Sequence, residues 1–301
     1  MIINSKSDFI TAINQLNIDT QFVFIKPNWI NNKEGEYTDS KILGWLLEAI
    51  PDSKKIVIEG YTPWRGLIYE PGNDGNVLDV DLEGGKRYRD FYRSMDEDYL
   101  KTTGIGDLLA KYDTEYINIT ECVWDQSCVP PENITEEINR NGCSLSNPEF
   151  AGYFPTRLFE LREKATFVSL TKIKSEFHIP VVGFSATIKN LLGLIPDPSR
   201  AKYHTGENMV GLDTALADIF LLYSLLFRKT KWIAEGIFTL PMEPFSPNPA
   251  IMKNQNIIFL GGNPIKVDTD VCGYLNLEPE SSDYFRLIKT IVAKLKLFNE
   301  S

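Results

Sequence analysis

The side chains best suited to chemistry are concentrated in one stretch of the sequence, SATIKNLLGLIPDPSRAKYH, residues 185–204. Lys189 and Asn190 precede an apolar turn there, and the stretch ends at His204, one of two histidines in the chain. Histidine is the side chain best matched to proton transfer near neutral pH. A lysine among buried apolar neighbours needs an anion nearby, or it becomes a candidate base. We therefore expect an anion-facing loop whose apolar half anchors it in the core.

Further cations lie close to this stretch in an otherwise acidic chain. Between residues 172 and 202 the sequence contains Lys172, Lys174, Lys189, Arg200 and Lys202. If these side chains converge, they would bind a carboxylate or phosphate beside a proton-transfer group. The predicted catalytic residues are Lys172 and Lys189, which would fix the anion, and His204, the acid or base. The predicted substrate-binding residues are Lys26, Asn28, Asn190, Arg200 and Lys174.

Three carboxylates, Asp39, Glu59 and Asp268, could instead hold a divalent metal if they approach one another, since hard oxygen ligands suit magnesium. Each carboxylate also has a structural alternative. Asp39 is placed to cap a helix, Glu59 to bind a backbone amide, and Asp268 to cap a helix beginning near Thr269. Asn28 could likewise close a turn after a proline instead of binding a ligand. The sequence leaves these alternatives open.

The elements that position these residues alternate between strands and helices. FVFIKPN is a buried strand that ends in a loop, YTDSKILGWLLEAI is a helix capped by Thr38 or Asp39, and KKIVIEG is a second strand. Strand, helix, strand is the βαβ unit of a parallel sheet. Similar patterns predict a helix near residues 107–112 and a strand at EYINIT. They also predict a helix at PTRLFELREK and a strand at ATFVSLTKIK.

The second half of the chain continues the alternation. GLDTALADIFLLYSLLF is a core helix, KWIAEGI and NIIFLGGNPIKVD are late strands, and residues 281–298 are an amphipathic closing helix. Residues 61–98 form a long irregular insertion in which a short hairpin is one possibility, and residues 123–150 are read as a polar loop. The predicted fold class is α/β, with a mostly parallel sheet flanked by helices.

Parallel strands bring their carboxyl ends to one edge of the sheet, where ligands of such folds gather. Lys26 and Asn28 follow the first predicted strand, and Glu59 ends the second. Lys172 and Lys174 follow the third clear strand, and Asp268 follows the last. This placement is the reason to expect that residues distant in sequence border one cleft.

Composition limits the classes of function. The 301 residues carry a formal net charge of -10, which argues against a broad nucleic-acid or anionic-membrane surface. The four cysteines show no metal or cluster spacing, so no iron–sulfur cluster is expected. No signal peptide is recognisable at the N-terminus, and the longest apolar run is too short to span a bilayer. A cytoplasmic protein is expected, with one α/β domain over 1–301 or two lobes, about 1–165 and 166–301.

Five ordered blocks resemble the domain-of-unknown-function 362 (DUF362) family: FIKPNWI, YTD, VSLTKIKSEFH, ATIKNLLGLIPDPSRAKYH and LGGNPIKVD. The resemblance implies an α/β domain whose signature residues are Lys26, Pro27, Asn28, Lys172, Lys189, Asn190, Gly193, His204 and Asp268. Some relatives carry a ferredoxin-type segment that this sequence lacks. Glu235 stands where the family tends to have an aspartate, and Lys266 with Val267 replaces a small apolar approach to Asp268.

The family name states no reaction, so the function is inferred from the predicted site. An acid–base enzyme acting on a small anionic substrate, as an isomerase, lyase or transferase, is the first hypothesis. The alternatives are a non-catalytic module for a metabolite or redox partner, and an interaction protein in which the motifs are structural. LGGNP lacks the spacing of a dinucleotide fingerprint, so NAD use is not expected.

Overall fold

A computed structural model provides the three-dimensional structure of the chain. The structure describes residues 1–32, 35–62, 65, 82–176, 183–203, 211–237 and 256–298. Both histidines, His178 and His204, lie outside these residues. In the described ranges, no helix is both long enough and apolar enough to cross a membrane.

A six-stranded sheet forms the centre of the fold. The described residues form eight strands, of which six belong to this sheet and two to a separate hairpin. In chain order they are β1 Phe22–Lys26, β2 Lys54–Glu59, β3 Glu115–Asn118, β4 Ala165–Lys172, β5 Lys174–Glu176, β6 Gly183–Ser185, β7 Lys229–Gly236 and β8 Ile257–Gly261. The large sheet has the order β3-β2-β1-β4-β7-β8, while β5 and β6 form a separate antiparallel hairpin. Neighbouring strands of the six-stranded sheet pair in parallel, except β7 and β8, which pair antiparallel. This architecture confirms the predicted α/β fold with a mostly parallel sheet.

Helices flank the sheet on both faces. They are α1 Lys6–Asn14, α2 Ser40–Ala49, α3 Leu82–Gly85, α4 Arg89–Thr102, α5 Ile105–Lys111, α6 Ile119–Trp124, α7 Pro131–Arg140, α8 Thr156–Leu161, α9 Leu212–Leu226, α10 Pro264–Leu275 and α11 Asp283–Leu295. Two 3-10 turns, Lys189–Leu194 and Ser199–Tyr203, lie in the stretch that the sequence singled out.

Strand alternation divides the core into two layers. Side chains two residues apart point to the same face of a strand. On one face, Phe22 and Phe24 of β1 pack with Phe167 of β4 in a cluster that includes the core helix α9. On the other face, Val168 and Leu170 of β4 pack with α1 and α2. Because both faces are covered, β1 and β4 are buried along their whole length.

Most of the predicted helices and strands are present, and the helix ends show which capping residues set their boundaries. Asp39 caps α2 by accepting a hydrogen bond from the Ile42 N–H at 2.9 Å. The predicted polar loop at 123–150 contains a helix instead, α7, which begins at Pro131 and buries Ile134 and Ile138 one turn apart. The described end of the 61–98 insertion, from residue 82 onward, is also helical.

The last predicted strand is shorter than expected. It ends at Gly261, and α10 begins at Pro264, with Asn263 as its N-cap. Asp268 therefore lies inside a helix and does not cap one near Thr269. The change follows from the Asn-Pro pair, because asparagine is a favoured N-cap and proline a favoured first helical residue.

Candidate functional site

A cleft opens at the carboxyl ends of β1 and β2, beneath the 3-10 turn Lys189–Leu194. It is narrow, with a free volume of about 60 Å³. The described residues that line it are Lys26, Asn28, Trp29, Ile30, Glu59, Thr62, Lys174, Ser185, Lys189, Asn190, Leu192, Gly193 and Arg200. The structure thus brings together six side chains that the sequence predicted as site residues: Lys26, Asn28, Lys174, Lys189, Asn190 and Arg200.

An ion pair between Lys26 and Glu59 forms the floor of the cleft. The Lys26 Nζ lies 2.8 Å from Glu59 Oε2, and both side chains are 2% exposed. Lys26 also donates to the carbonyl oxygen of Pro27 at 2.7 Å and to Asn190 Oδ1 at 3.3 Å. Burial lowers the pKa of Lys26 to about 8, although Glu59 favours the charged form. The three hydrogen bonds match the three donors of an ammonium group.

Two glycines allow the chain to approach this ion pair closely. The Gly60 N–H donates to the Gly193 carbonyl oxygen at 3.0 Å. A Cβ atom at Gly193 would lie 2.6 Å from Lys26 Nζ and would also collide with Glu59. A Cβ atom at Gly60 would lie 2.7 Å from the Gly193 carbonyl oxygen. Only residues without a side chain fit where the turn crosses the ends of β1 and β2.

Two asparagines connect the cations of the cleft. Asn190 Nδ2 donates to the Lys26 carbonyl oxygen at 2.9 Å and to Ser169 Oγ at 3.0 Å. Its Oδ1 accepts from Lys26 Nζ and from Asn28 Nδ2, each at 3.3 Å. Asn28 Oδ1 in turn accepts from Lys174 Nζ at 2.7 Å. These bonds fix the orientation of both amides and join β1, β4 and the Lys189–Leu194 turn.

Lys189 and Arg200 complete the cationic lining. Both residues are buried, at 9% exposure. Arg200 Nη2 donates to the Tyr61 carbonyl oxygen at 2.6 Å. Burial lowers the pKa of Arg200, while Asp197 and Glu59 raise it. A guanidinium carries five N–H donors in a planar fork, a geometry that suits a carboxylate or phosphate.

Lys172 lies in a different environment from the other predicted cations. Its Nζ is 2.5 Å from Glu235 Oε1 and 3.7 Å from Asp39 Oδ2. It shares a strand face with Val168 and Leu170, the face that α2 covers. Lys172 and Glu235 are wholly buried, and burial raises the pKa of Glu235 despite the nearby lysine. Lys172 is not among the described lining of the cleft, which the period of two along β4 explains.

The three carboxylates considered for a metal lie in three separate sets of contacts. Glu59 pairs with Lys26, and Asp39 caps α2. Asp268 accepts hydrogen bonds from the backbone N–H groups of Thr187 and Ile188, at 2.9 and 3.1 Å. Across the described residues, no group of three or more ligating side chains could hold a metal ion.

The placement of His204 cannot be compared with the cleft, because this residue lies outside the described part of the chain. The same holds for His178 and for the side chain of Lys202. In the sequence, His204 directly follows the turn Ser199–Tyr203, which contains Arg200. The assignment of His204 as an acid or base therefore stays a prediction.

Sequence reasoning missed Arg65, a buried residue of the insertion that supports the cleft. Its Nε donates to the Trp29 carbonyl oxygen at 2.7 Å, and its Nη1 pairs with Asp96 on α4. Its Nη2 lies 3.7 Å from Glu59 Oε2. The signal in the sequence is the position of Arg65, shortly after Gly60, the residue that follows β2. The residue links the helical insertion to the floor of the cleft.

Comparison with known proteins gives one match. The model of the family described as Domain of unknown function (DUF362) matches residues 156–273. This segment contains three of the five blocks on which the resemblance was based, including the Lys189–Leu194 turn. Over these residues, the match supports the family suggested by the motifs. No curated protein and no solved structure matches the chain.

Proposed function

Since residues 156–273 match the DUF362 family model, whose description names no reaction, we propose a function from the cleft. The cleft binds a small molecule that carries a carboxylate or phosphate, and the protein is an enzyme that acts on it by acid–base chemistry. One observation carries the proposal: the described lining has four cationic side chains and one carboxylate. In a chain of net charge -10, such a local excess favours an anionic ligand.

The four cations have different parts in this proposal. Lys26 is neutralised by Glu59 and donates all three of its hydrogens within the protein, so it supports the site. Lys174, Lys189 and Arg200 also line the cleft. Lys174 donates there to Asn28 Oδ1 and to the Glu36 carbonyl oxygen, and Asp197 and Glu59 lie close enough to Arg200 to raise its pKa. Arg200 is the best suited of the three to bind a carboxylate or phosphate through two parallel hydrogen bonds.

The position of the cleft also supports a ligand site. It lies beyond the carboxyl ends of β1 and β2, where ligands of parallel α/β sheets bind. Trp29, Ile30 and Leu192 add apolar surface beside the cations, and a few fixed polar groups in a partly apolar cleft are typical of small-molecule sites. We therefore expect the anion to be attached to a small organic group.

Acid–base chemistry is assigned to Lys189 and His204. Lys189 is a cleft residue that does not belong to the Lys26–Glu59 pair, and His204 follows the turn that contains Arg200. Proton transfer beside a fixed anion suits an isomerase, lyase or group-transfer enzyme. Lys172, predicted earlier as a catalytic residue, has no part in this proposal because it lies in a separate ion pair.

A non-catalytic binding module is the second candidate. The observation that favours it is the internal bonding of the floor, where Lys26, Asn28 and Asn190 donate to one another and to the backbone. Such groups can hold a ligand without moving a proton. The four cysteines are free thiols, which favours a reducing compartment such as the cytoplasm, and the proposed partner is this small molecule.

Isothermal titration calorimetry with a panel of phosphates and carboxylates tests the proposal. Arg200→Gln and Lys189→Gln should each weaken binding by about tenfold or more, the loss of one charge-assisted contact. Arg228→Gln is the matched control, because Arg228 is 80% exposed and pairs with Glu163 outside the cleft. Equal losses in Arg200→Gln and Arg228→Gln, or no binding of any anion, would contradict the proposal. Turnover of a bound compound distinguishes an enzyme from a binding module.

A further inference from the structure

The carboxylate of Asp268 holds the backbone that enters the cleft. Asp268 lies in α10, is completely buried, and accepts three hydrogen bonds from two adjacent residues. Oδ1 accepts from the Thr187 N–H at 2.9 Å and from Thr187 Oγ1 at 2.5 Å. Oδ2 accepts from the Ile188 N–H at 3.1 Å. One side chain thus satisfies two consecutive amides just before the Lys189–Leu194 turn.

These two amides directly precede Lys189 and Asn190 in the chain. The Thr187 carbonyl oxygen accepts from Ser169 Oγ at 3.0 Å, and the same Oγ accepts from Asn190 Nδ2. The segment is therefore held from α10 on one side and from β4 on the other. A shift of Thr187 would move both cleft residues, because they follow without an intervening loop.

We propose that Asp268 is a positioning residue whose carboxylate charge fixes the segment carrying Lys189 and Asn190, and so controls the anion affinity of the cleft. The part concerning affinity rests on the function proposed above. The part concerning the segment does not, because it can be measured without a ligand.

The surroundings of Asp268 determine the pH at which its carboxylate loses the charge that holds the Thr187 and Ile188 amides. Burial raises the pKa of Asp268 to about 6, since hydrogen bonds offset only part of the cost of removing the charge from water. Its titratable neighbour is Cys272, one turn later on α10, where burial and Asp268 both raise the pKa of the thiol. Among the described residues, no charged side chain contributes to the pKa of Asp268.

The sign of the pH effect follows from these contacts. Above about pH 6 the carboxylate accepts from both amides. Below it, the protonated group keeps one carbonyl oxygen as a full acceptor, and the hydroxyl is a poorer acceptor for the second amide. The hold on Thr187 and Ile188 therefore weakens as the pH falls through about 6.

Amide NMR of the ligand-free protein tests the positioning. Between about pH 7.5 and about pH 5, we expect the Thr187 and Ile188 amide signals to titrate together, with protection from hydrogen exchange falling about tenfold. In Asp268→Asn, the titration should disappear and protection should be low throughout. Amides that do not titrate in the wild-type protein would overturn the inference even if the variant failed to fold.

Sulfate binding, measured by calorimetry near about pH 7.5, tests the effect on the cleft. Sulfate keeps one charge state over this range, so changes in its affinity report on the protein. Asp268→Asn should weaken binding by about tenfold, whereas Asp218→Asn should change it less than about twofold. Asp218 is a matched control, since it holds the Ser146 and Asn147 amides away from the cleft lining.

The outcomes separate the two proposals. Full sulfate affinity in Asp268→Asn, or an equal loss in Asp218→Asn, would overturn the control of the cleft by Asp268. Failure of the wild-type protein to bind sulfate or any other anion would contradict the proposed function and its dependent affinity claim. The Thr187 and Ile188 titration would still decide whether Asp268 positions the segment.

Discussion

Lys26 and Glu59 form a buried ion pair at the ends of two adjacent parallel strands, with Nζ 2.8 Å from Oε2. The pair closes the floor of a cleft whose other described cations are Lys174, Lys189 and Arg200. Glu59 neutralises Lys26 within the protein, and the other three cations also line the cleft. The predictions that follow rest on the proposal that Lys26 supports the site while the other cations bind the ligand.

Removal of the Glu59 charge should destabilise the fold. Glu59→Gln leaves the Lys26 ammonium buried without its counterion, and breaking a buried pair in this way costs about 3–5 kcal/mol. The free energy of unfolding in urea measures the effect. Asp19→Asn is the control, because Asp19 pairs with Lys229 at an exposed position and should leave the urea midpoint unchanged. Similar midpoints for both variants would show that the buried pair is dispensable.

A side chain at Gly193 should disrupt the same floor. In Gly193→Ala the new Cβ would lie 2.6 Å from Lys26 Nζ, so the turn must shift or the ion pair must open. Overpacking of this kind costs about 1–3 kcal/mol, and we expect weaker sulfate binding together with it. Gly262→Ala adds a Cβ with no neighbour within 4 Å and should be close to neutral. Wild-type sulfate affinity in Gly193→Ala would contradict the close approach.

Lys172 should affect stability without affecting the cleft. Lys172→Met leaves Glu235 buried without a cation, and a loss of about 3–5 kcal/mol in the free energy of unfolding is expected. Combining it with Glu235→Gln should restore part of that loss, since the uncompensated charge is removed. Sulfate affinity should stay within about twofold of wild type. A loss of sulfate affinity as large as that of Lys189→Gln would show that Lys172 takes part in binding.

Stability should rise as the medium becomes mildly acidic. Burial raises the pKa of Asp197 and of Asp268 to about 6, above the ordinary aspartate value of 3.8. Between pH 3.8 and about pH 6, these two carboxyl groups hold protons in the folded protein that they release in the unfolded chain. The free energy of unfolding therefore increases as the pH falls through this range. Each group adds at most ~1.4 kcal/mol per pH unit. Urea unfolding between about pH 7 and about pH 5 measures this slope, which Asp197→Asn should reduce.

A decrease in the free energy of unfolding over this range would contradict the raised pKa values. The effect should end at more acidic pH, where groups with lowered pKa values act in the opposite direction. Glu121 is one of them, since its contacts with Arg93, Arg89 and Tyr61 outweigh its burial. Their contribution to stability is lost as they protonate.

The sheet could be predicted because strand and helix signals were local and strong. Phe22–Lys26 and Lys54–Glu59 read as strands, and Asp39 between them marked the start of a helix. The helix α7 escaped prediction because its buried face consists of two isoleucines, Ile134 and Ile138, in a mostly polar segment. Its buried surface depends on the neighbours it meets, which periodicity alone does not supply.

The site could be predicted only in part because strand ends fix an edge of the sheet but not a face. Lys26 and Lys172 both end parallel strands, yet Lys172 lies on the face of β4 that α2 covers. Counting the period of two along β4 could have separated Lys172 from the cleft. The contact of Arg65 with Glu59 depends on how the insertion folds back, and no short-range pattern encodes that approach.

The most direct measurement is the anomalous diffraction of crystals grown or soaked with selenate, a tetrahedral dianion whose selenium can be located independently of the protein. We predict a peak in the cleft within hydrogen-bond distance of Arg200 and Lys189, that is, about 2.7–3.2 Å from a nitrogen to an oxygen of the anion. Arg200→Gln should abolish this peak. Selenium sites found only on the outer surface, such as the basic groove of Arg228, Lys229 and Lys231, would contradict an anion-binding cleft.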